Sequence, residues 1–305
     1  MISISFPSRL QRVRAFLVGA VDALPLRAFE AAFTLAFLID TGWHFYFWRE
    51  WLTDWGFHLS ADEMWQLGFL RPFPKPPLWG IPIFGALTLL AGLGVIFCRC
   101  RRLCLWLMMG MAIYVQGVDP MSTQALNKIA IAVYALLALA PGYWRDENGV
   151  RRVSAAPLRV MQATLMVHYW AAGFSKVHGG DWLKYSDCLW CIVQGFHRTD
   201  EAAFLLRTLP VWAWAVMQYS TLVFEIGAPL WFSIRRIRWA VIGYGVGFHL
   251  MIALLMKRVC FFSFIMISFY PLFISADEWR RLGRMLGRAC GRDGRLVRRL
   301  MHKDC

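Results

Sequence analysis

The feature that most constrains this chain is a series of long apolar segments, at about 29–47, 77–98, 103–118, 127–142, 160–178, 211–234, 238–256 and 259–274. Crossing a bilayer takes about 20 largely apolar residues, and each segment approaches that length. Lipid offers no partners to open backbone groups, so only helices or closed barrels cross it. Segments this long, rich in Leu, Ala, Phe, Trp and Met, exceed a barrel strand. The expectation is an all-α integral membrane protein with about eight transmembrane helices. Composition points the same way: 58% of residues are hydrophobic, the mean hydropathy is +0.46 and only 17% are charged, against about a quarter in soluble domains.

The net charge of +14 raises nucleic acid as a partner, but its distribution argues for topology. Basic residues gather at Arg9, Arg12, Arg14 and Arg27, at Arg99, Arg101 and Arg102, and at Arg145, Arg151, Arg152 and Arg159. They recur at Arg235, Arg236 and Arg238 and in the tail from Arg280 to Lys303. Eight crossings put all of these on one side, which the positive-inside rule makes the cytoplasm. Both termini are then inside, and the expected location is a bacterial inner (cytoplasmic) membrane. Loops 48–76, 119–126 and 177–210 fall outside and hold nine of the 19 acids and three of the seven histidines. The basic tail is expected on anionic lipid, with no nucleic-acid partner. The start lacks the small-residue cleavage site of a signal peptide, and 8–26 reads as a basic amphipathic helix on the membrane surface. The chain divides into a basic N-terminal segment, 1–28, a membrane domain, 29–280, and a basic tail, 281–305.

Cys188 and Cys191 form SDCLWC in the long outer loop. Outside the cytoplasm such a pair reads as a disulfide, as a redox-active pair, or as incidental. Two cysteines make no zinc site without further ligands, although His178 and His197 are within loop reach; no metal is expected.

Ionisable residues inside apolar segments are functional candidates. Asp40 and His44, at i and i+4, share a helix face and read either as a functional pair or as a lock between helices. Gln162, Tyr169 and Lys176 recur every seven residues, close to two turns, and so lie on one stripe. Ala172 and Gly173 between them admit a neighbouring helix or a flat ligand. Lys176 in the last turn is either a snorkelling lysine or a base. Glu225 lies deep and must be protonated or paired. His249, in GYGVGFHLM, is a packed hydrogen-bonding residue or a group converging on the same cavity as Lys176.

YWAAGFSKVHGGDW (169–182) resembles the Tyr-x-x-Ala-Gly-x-x-Lys-(Leu/Val)-x-x-x-Asp-Trp signature of the vitamin K-dependent γ-glutamyl carboxylase family. The membrane part of that family is also called the HTTM (horizontally transferred transmembrane) domain. RPFPKPPLWG (71–80) is similar to the family's Arg-Pro-x-Pro loop, and APLRVMQATLMVHYW (156–170) to its Pro-Leu…Arg-x-x-Gln approach to the lysine helix. The stretch from FHLM to SADEWRRL (248–282) resembles its Phe-His-x-x helix, phenylalanine-rich helix and Ser-x-x-Glu-Trp exit. Together these cover about residues 30–282.

The resemblance implies that Lys176 is the base that starts oxidation of a reduced vitamin K or menaquinone-type quinol. Oxygen adds to the quinol, a glutamate γ-proton is removed, and CO₂ traps the carbanion. Gln162, Tyr169, Gly173, Glu225 and His249 would bind the quinol. Asp40, His44, Asn127, Arg159, Asp181 and Trp182 stand as substrate-binding or structural positions. The chain departs from the animal carboxylases at ALNKIA, where Asn127 and Lys128 replace part of an Asn-Asn-His, and at Ile252, where the family has Asn. The family's large lumenal domain has only a basic tail in its place.

The leading expectation is therefore a quinol-dependent enzyme modifying a peptide or protein at the exoplasmic face. A chain of this length also resembles the membrane proteins that mature sporulation-delaying-type peptide toxins, which leaves a non-enzymatic partner in maturation, export or immunity of a secreted peptide. A quinone-coupled thiol oxidase on Cys188 and Cys191 is a third reading. A transporter with a relay of Asp40, Glu225 and His249 is a fourth.

Overall fold

The computed structural model describes residues 9–56, 58, 61–66, 72–118 and 125–289. Its contacts divide the chain into two compact units, 1–158 with 274–305, and 159–273.

In the first unit, α1 (Arg9–Val18) leads into a short strand, β1 (Ala20–Asp22), and then α2 (Leu24–Tyr46). Pro25 sits in the first turn of α2, where its missing N–H costs nothing, and Asp22 Oδ1 accepts the Leu24 N–H at 2.9 Å. Short helices α3 (Trp48–Leu52) and α4 (Ala61–Gln66) follow, then α5 (Gly80–Ile96), α6 (Arg101–Val118) and α7 (Ala125–Leu139). Successive pairs among α5, α6 and α7 pack together, and α2 packs on α5. Phe33 and Phe37 of α2 meet Tyr134 of α7 edge-on, with ring centres 5.5 and 5.6 Å apart.

β2 (Trp144–Arg145) and β3 (Arg151–Ser154) form a hairpin, and β1 adds to β3 to give the antiparallel order β1-β3-β2. The register pairs Val21 with Val153 and Trp144 with Arg152. Asp146 closes the turn. Its Oδ1 accepts the N–H groups of Asn148 and Val150, its Oδ2 takes Arg152 Nε at 2.8 Å, and Gly149 supplies the positive φ of 72°. The arginine holds the Asp146 carboxyl below the usual carboxylate range.

Buried in this unit is an ionic cluster. Glu30, fully buried, pairs with Arg27 and Arg101, and Tyr143 donates to it at 2.8 Å. Arg27 also donates to the carbonyls of Val95 and Ile96, which the end of α5 leaves open. One carboxylate thus ties α2, α5 and α6 together.

The second unit begins within α8 (Ala155–His178) and continues through α9 (Asp181–Lys184), α10 (Cys188–Val193), α11 (Asp200–Thr208), α12 (Val211–Trp231), α13 (Arg238–Leu255) and α14 (Cys260–Ile267), ending in a 3₁₀ turn at Tyr270–Phe273. Thr199 caps α11 by accepting the Ala202 N–H at 3.0 Å, and its own hydroxyl donates to Leu254 O at 2.7 Å. Trp214 of α12, with no exposed surface, packs with Val193, Ala202 and Leu255. The first unit resumes with α15 (Ala276–Ala289). Its start is a capping box: Ser275 N–H donates to Glu278 Oε2 at 2.8 Å, and Glu278 N–H donates to Ser275 Oγ at 3.4 Å.

The expectation of eight transmembrane helices is overturned. The apolar segments do coil into helices, but among the described residues only α13 is long and apolar enough to cross a membrane, or two if the broken pair Cys260–Phe273 and Ala276–Met285 counts as one span. The physical reasons are specific. α5 has 17 residues, and the apolar part of α7 runs only from Leu126 to Leu139. α2 carries Arg27, Glu30 and Asp40. The segment 259–274 breaks after Ile267. Sixteen tryptophans count as hydrophobic in a composition, yet each indole brings an N–H that needs a partner. The even number of crossings that placed both termini inside falls with the eight spans. The chain is also not purely helical, because the expected surface helix 8–26 ends at Val18 and gives way to β1. The part of the tail beyond Ala289 and most of loop 119–126 lie outside the described residues.

Candidate functional site

The second unit brings Lys176 and Glu225 together. Lys176 Nζ lies 2.8 Å from Glu225 Oε1 and 2.6 Å from Oε2. The glutamate side chain is 6% exposed and the lysine 24%, so the pair has one dry partner and one at the edge of water. Local sequence explains the meeting. A Cβ at Gly173, one turn before Lys176, would stand 2.8 Å from Ile226 Cγ1, 2.9 Å from Ile226 N and 3.0 Å from Glu225 Cβ. Only glycine lets α8 approach α12 this closely, and that approach brings Glu225 within reach. The space that the sequence leaves open to a neighbour or a flat ligand is thus filled by the neighbour. On the other side, the Trp182 ring centre lies 5.2 Å from Lys176 Nζ, inside cation–π range.

Two turns earlier on α8, Tyr169 OH stands 2.6 Å from His249 Nε2 and 2.6 Å from Tyr270 OH. All three residues are buried. Phe224, Phe232 and Phe262 surround the group with ring contacts. Whichever tautomer is drawn, His249 Nδ1 is buried and has no hydrogen-bond partner among the described residues. A buried polar atom of this kind calls for an explanation, and a ligand oxygen would supply one. Tyr169 and Lys176 share a face of α8, about 10 Å apart along its axis at the usual rise.

The other candidates fall elsewhere. Gln162 donates to Leu272 O at 2.7 Å and accepts from Arg159 at 2.9 Å, so Gln162 holds the backbone of this unit and Arg159 braces its amide. Asp181 is exposed and opens α9. Cys188 and Cys191, one turn apart on α10, carry free thiols. Burial, helped by Asp181, holds the Cys188 thiol above its ordinary value, the opposite of what a reactive thiol needs. Asp40, His44 and Asn127 belong to the first unit. There His44 Nδ1 donates to Asp40 O at 2.8 Å and stands 3.7 Å from the Asp40 carboxylate, while Asn127 is buried. Among the described residues no group of three or more His, Cys, Asp or Glu side chains could hold a metal ion.

Sequence reasoning missed Tyr270, hidden in the aromatic run SFYPLF, and the cluster around Glu30, where a glutamate in the apolar stretch FEAAF was the available signal. No protein-family model, curated protein or solved structure matches this chain.

Proposed function

We propose that the chain is a carboxylase-like, quinol-dependent enzyme working at a membrane, with Lys176 as the base. One observation carries this reading: the Lys176 amine is bracketed by both oxygens of a nearly dry carboxylate at 2.6 and 2.8 Å. With water present the ion pair is the stable form. A substrate that displaces water from the exposed edge of Lys176 raises the cost of keeping two charges side by side. The proton then passes from Nζ to Glu225, leaving a neutral amine beside a carboxylic acid. The amine takes a proton from an acidic hydroxyl held against it, and Glu225 returns a proton when the product leaves.

Tyr169 and His249, whose Nδ1 has hydrogen-bonding capacity to spare, are the groups that would hold the oxygens of a quinol. When bound, the quinol supplies the reducing equivalents for chemistry with oxygen. The resemblance makes a glutamate side chain of a peptide or protein the group that is modified. The test is purified protein in lipid nanodiscs with reduced menaquinone or vitamin K and oxygen. Quinol oxidation and epoxide formation by the wild type, absent from folded Lys176→Ala, supports the reading. Equal rates in both end it.

A further inference from the structure

Gln218 lies on α12 with no exposed surface, and its amide is spent on the backbone of a single connecting segment. Nε2 donates to Trp182 O at 2.8 Å and to Tyr185 O at 2.7 Å, and Oε1 accepts the Leu189 N–H at 2.9 Å. These are groups that short helices leave open: the carbonyls at the end of α9 and a donor in the first turn of α10. One side chain therefore closes one helix and starts the next. Leu183 and Tyr185 are about half exposed, whereas Leu189 and Trp190 pack on the Trp214 core. The same segment carries the indole that lies over Lys176 Nζ.

We propose that Gln218 is a positioning residue that fixes Trp182 as a cover over the Lys176–Glu225 pair. It touches neither member of the pair and acts through the 182–189 backbone. The cover limits water at the lysine, which is the condition that favours proton transfer within the pair. In its consequence for catalysis the inference rests on the proton-transfer reading above, but its test needs no turnover.

The experiment combines amine-selective acetylation, quantified by mass spectrometry at Lys176 against the exposed Lys257, with amide hydrogen exchange at 182–190. The proteins are the wild-type full chain, Gln218→Met and Trp182→Leu. The expected result for Gln218→Met is faster exchange at Leu189 and a rise of about tenfold in the Lys176/Lys257 ratio, the scale of a hydrogen-bond loss. Trp182→Leu, which keeps the amide network, should raise the Lys176 ratio and leave Leu189 exchange at the wild-type rate. A Gln218→Met protein with loosened Leu189 but unchanged Lys176 would show a structural role only and overturn the proposal. If Gln218→Met does not fold, Trp182→Leu decides: an unchanged Lys176 ratio there also overturns it.

Discussion

Lys176 and Glu225 meet through both carboxylate oxygens, at 2.8 and 2.6 Å, from helices 49 positions apart in sequence. The glutamate has almost no other access to water. Removing the lysine's charge should therefore cost more than an exposed ion pair would. We expect Lys176→Met to destabilise the second unit by about 2 kcal/mol, below the ~3–5 kcal/mol of a fully buried pair because the lysine is partly solvated. Lys176→Met with Glu225→Leu should recover most of the loss. Denaturant unfolding of the double-mutant cycle checks this.

Gly173 sets the distance between α8 and α12. Gly173→Ala puts a methyl group within 3.0 Å of the Ile226 backbone nitrogen, an atom that cannot swing aside. Overpacking of this kind costs about 1–3 kcal/mol. The variant should unfold at lower denaturant, and Lys176 should become easier to acetylate as the helices separate.

How much of this was legible in sequence differs from residue to residue. The stripe of Tyr169 and Lys176 follows from spacing alone, and Glu225 and His249 stand out as costly groups in apolar segments. Their pairing does not follow, because a helical pattern fixes neither the depth nor the rotation of one helix against another. Gly173 was the nearest thing to a clue. Gln218, seven residues before Glu225 and so on the same helix face, has partners that are backbone groups, which carry no residue-type signal. The helices themselves were readable from the apolar segments, whereas crossing a membrane was not, since Trp-rich stretches and the charges of α2 separate apolar from lipid-compatible. β1 has three residues, too few to show alternation.

The Glu30 cluster makes a separate prediction for the first unit. Glu30→Gln keeps the side-chain shape but leaves Arg27 and Arg101 facing each other without a counter-charge. The expected loss is about 3–5 kcal/mol, typical of a broken buried pair. Arg27→Leu, Glu30→Leu and Arg101→Met combined should restore much of it. Unfolding midpoints of the two proteins provide the comparison.

Cys188 offers a pH test. Burial and the nearby Asp181 favour its neutral thiol, so at any given pH its thiolate fraction is below that of an ordinary cysteine. At neutral pH Cys188 should react with iodoacetamide more slowly than the exposed Cys191, and its rate should keep rising with pH into strongly alkaline buffer. Fast alkylation of Cys188 at pH 7 would favour the thiol-oxidase reading.

The most direct measurement of the central claim is quinol oxidation under oxygen by nanodisc-embedded wild type, Lys176→Gln and Glu225→Gln, each first shown to be folded. The account predicts turnover by the wild type and a loss of at least roughly 100-fold in both variants, the scale of a missing general base. Turnover by Lys176→Gln at the wild-type rate would contradict it.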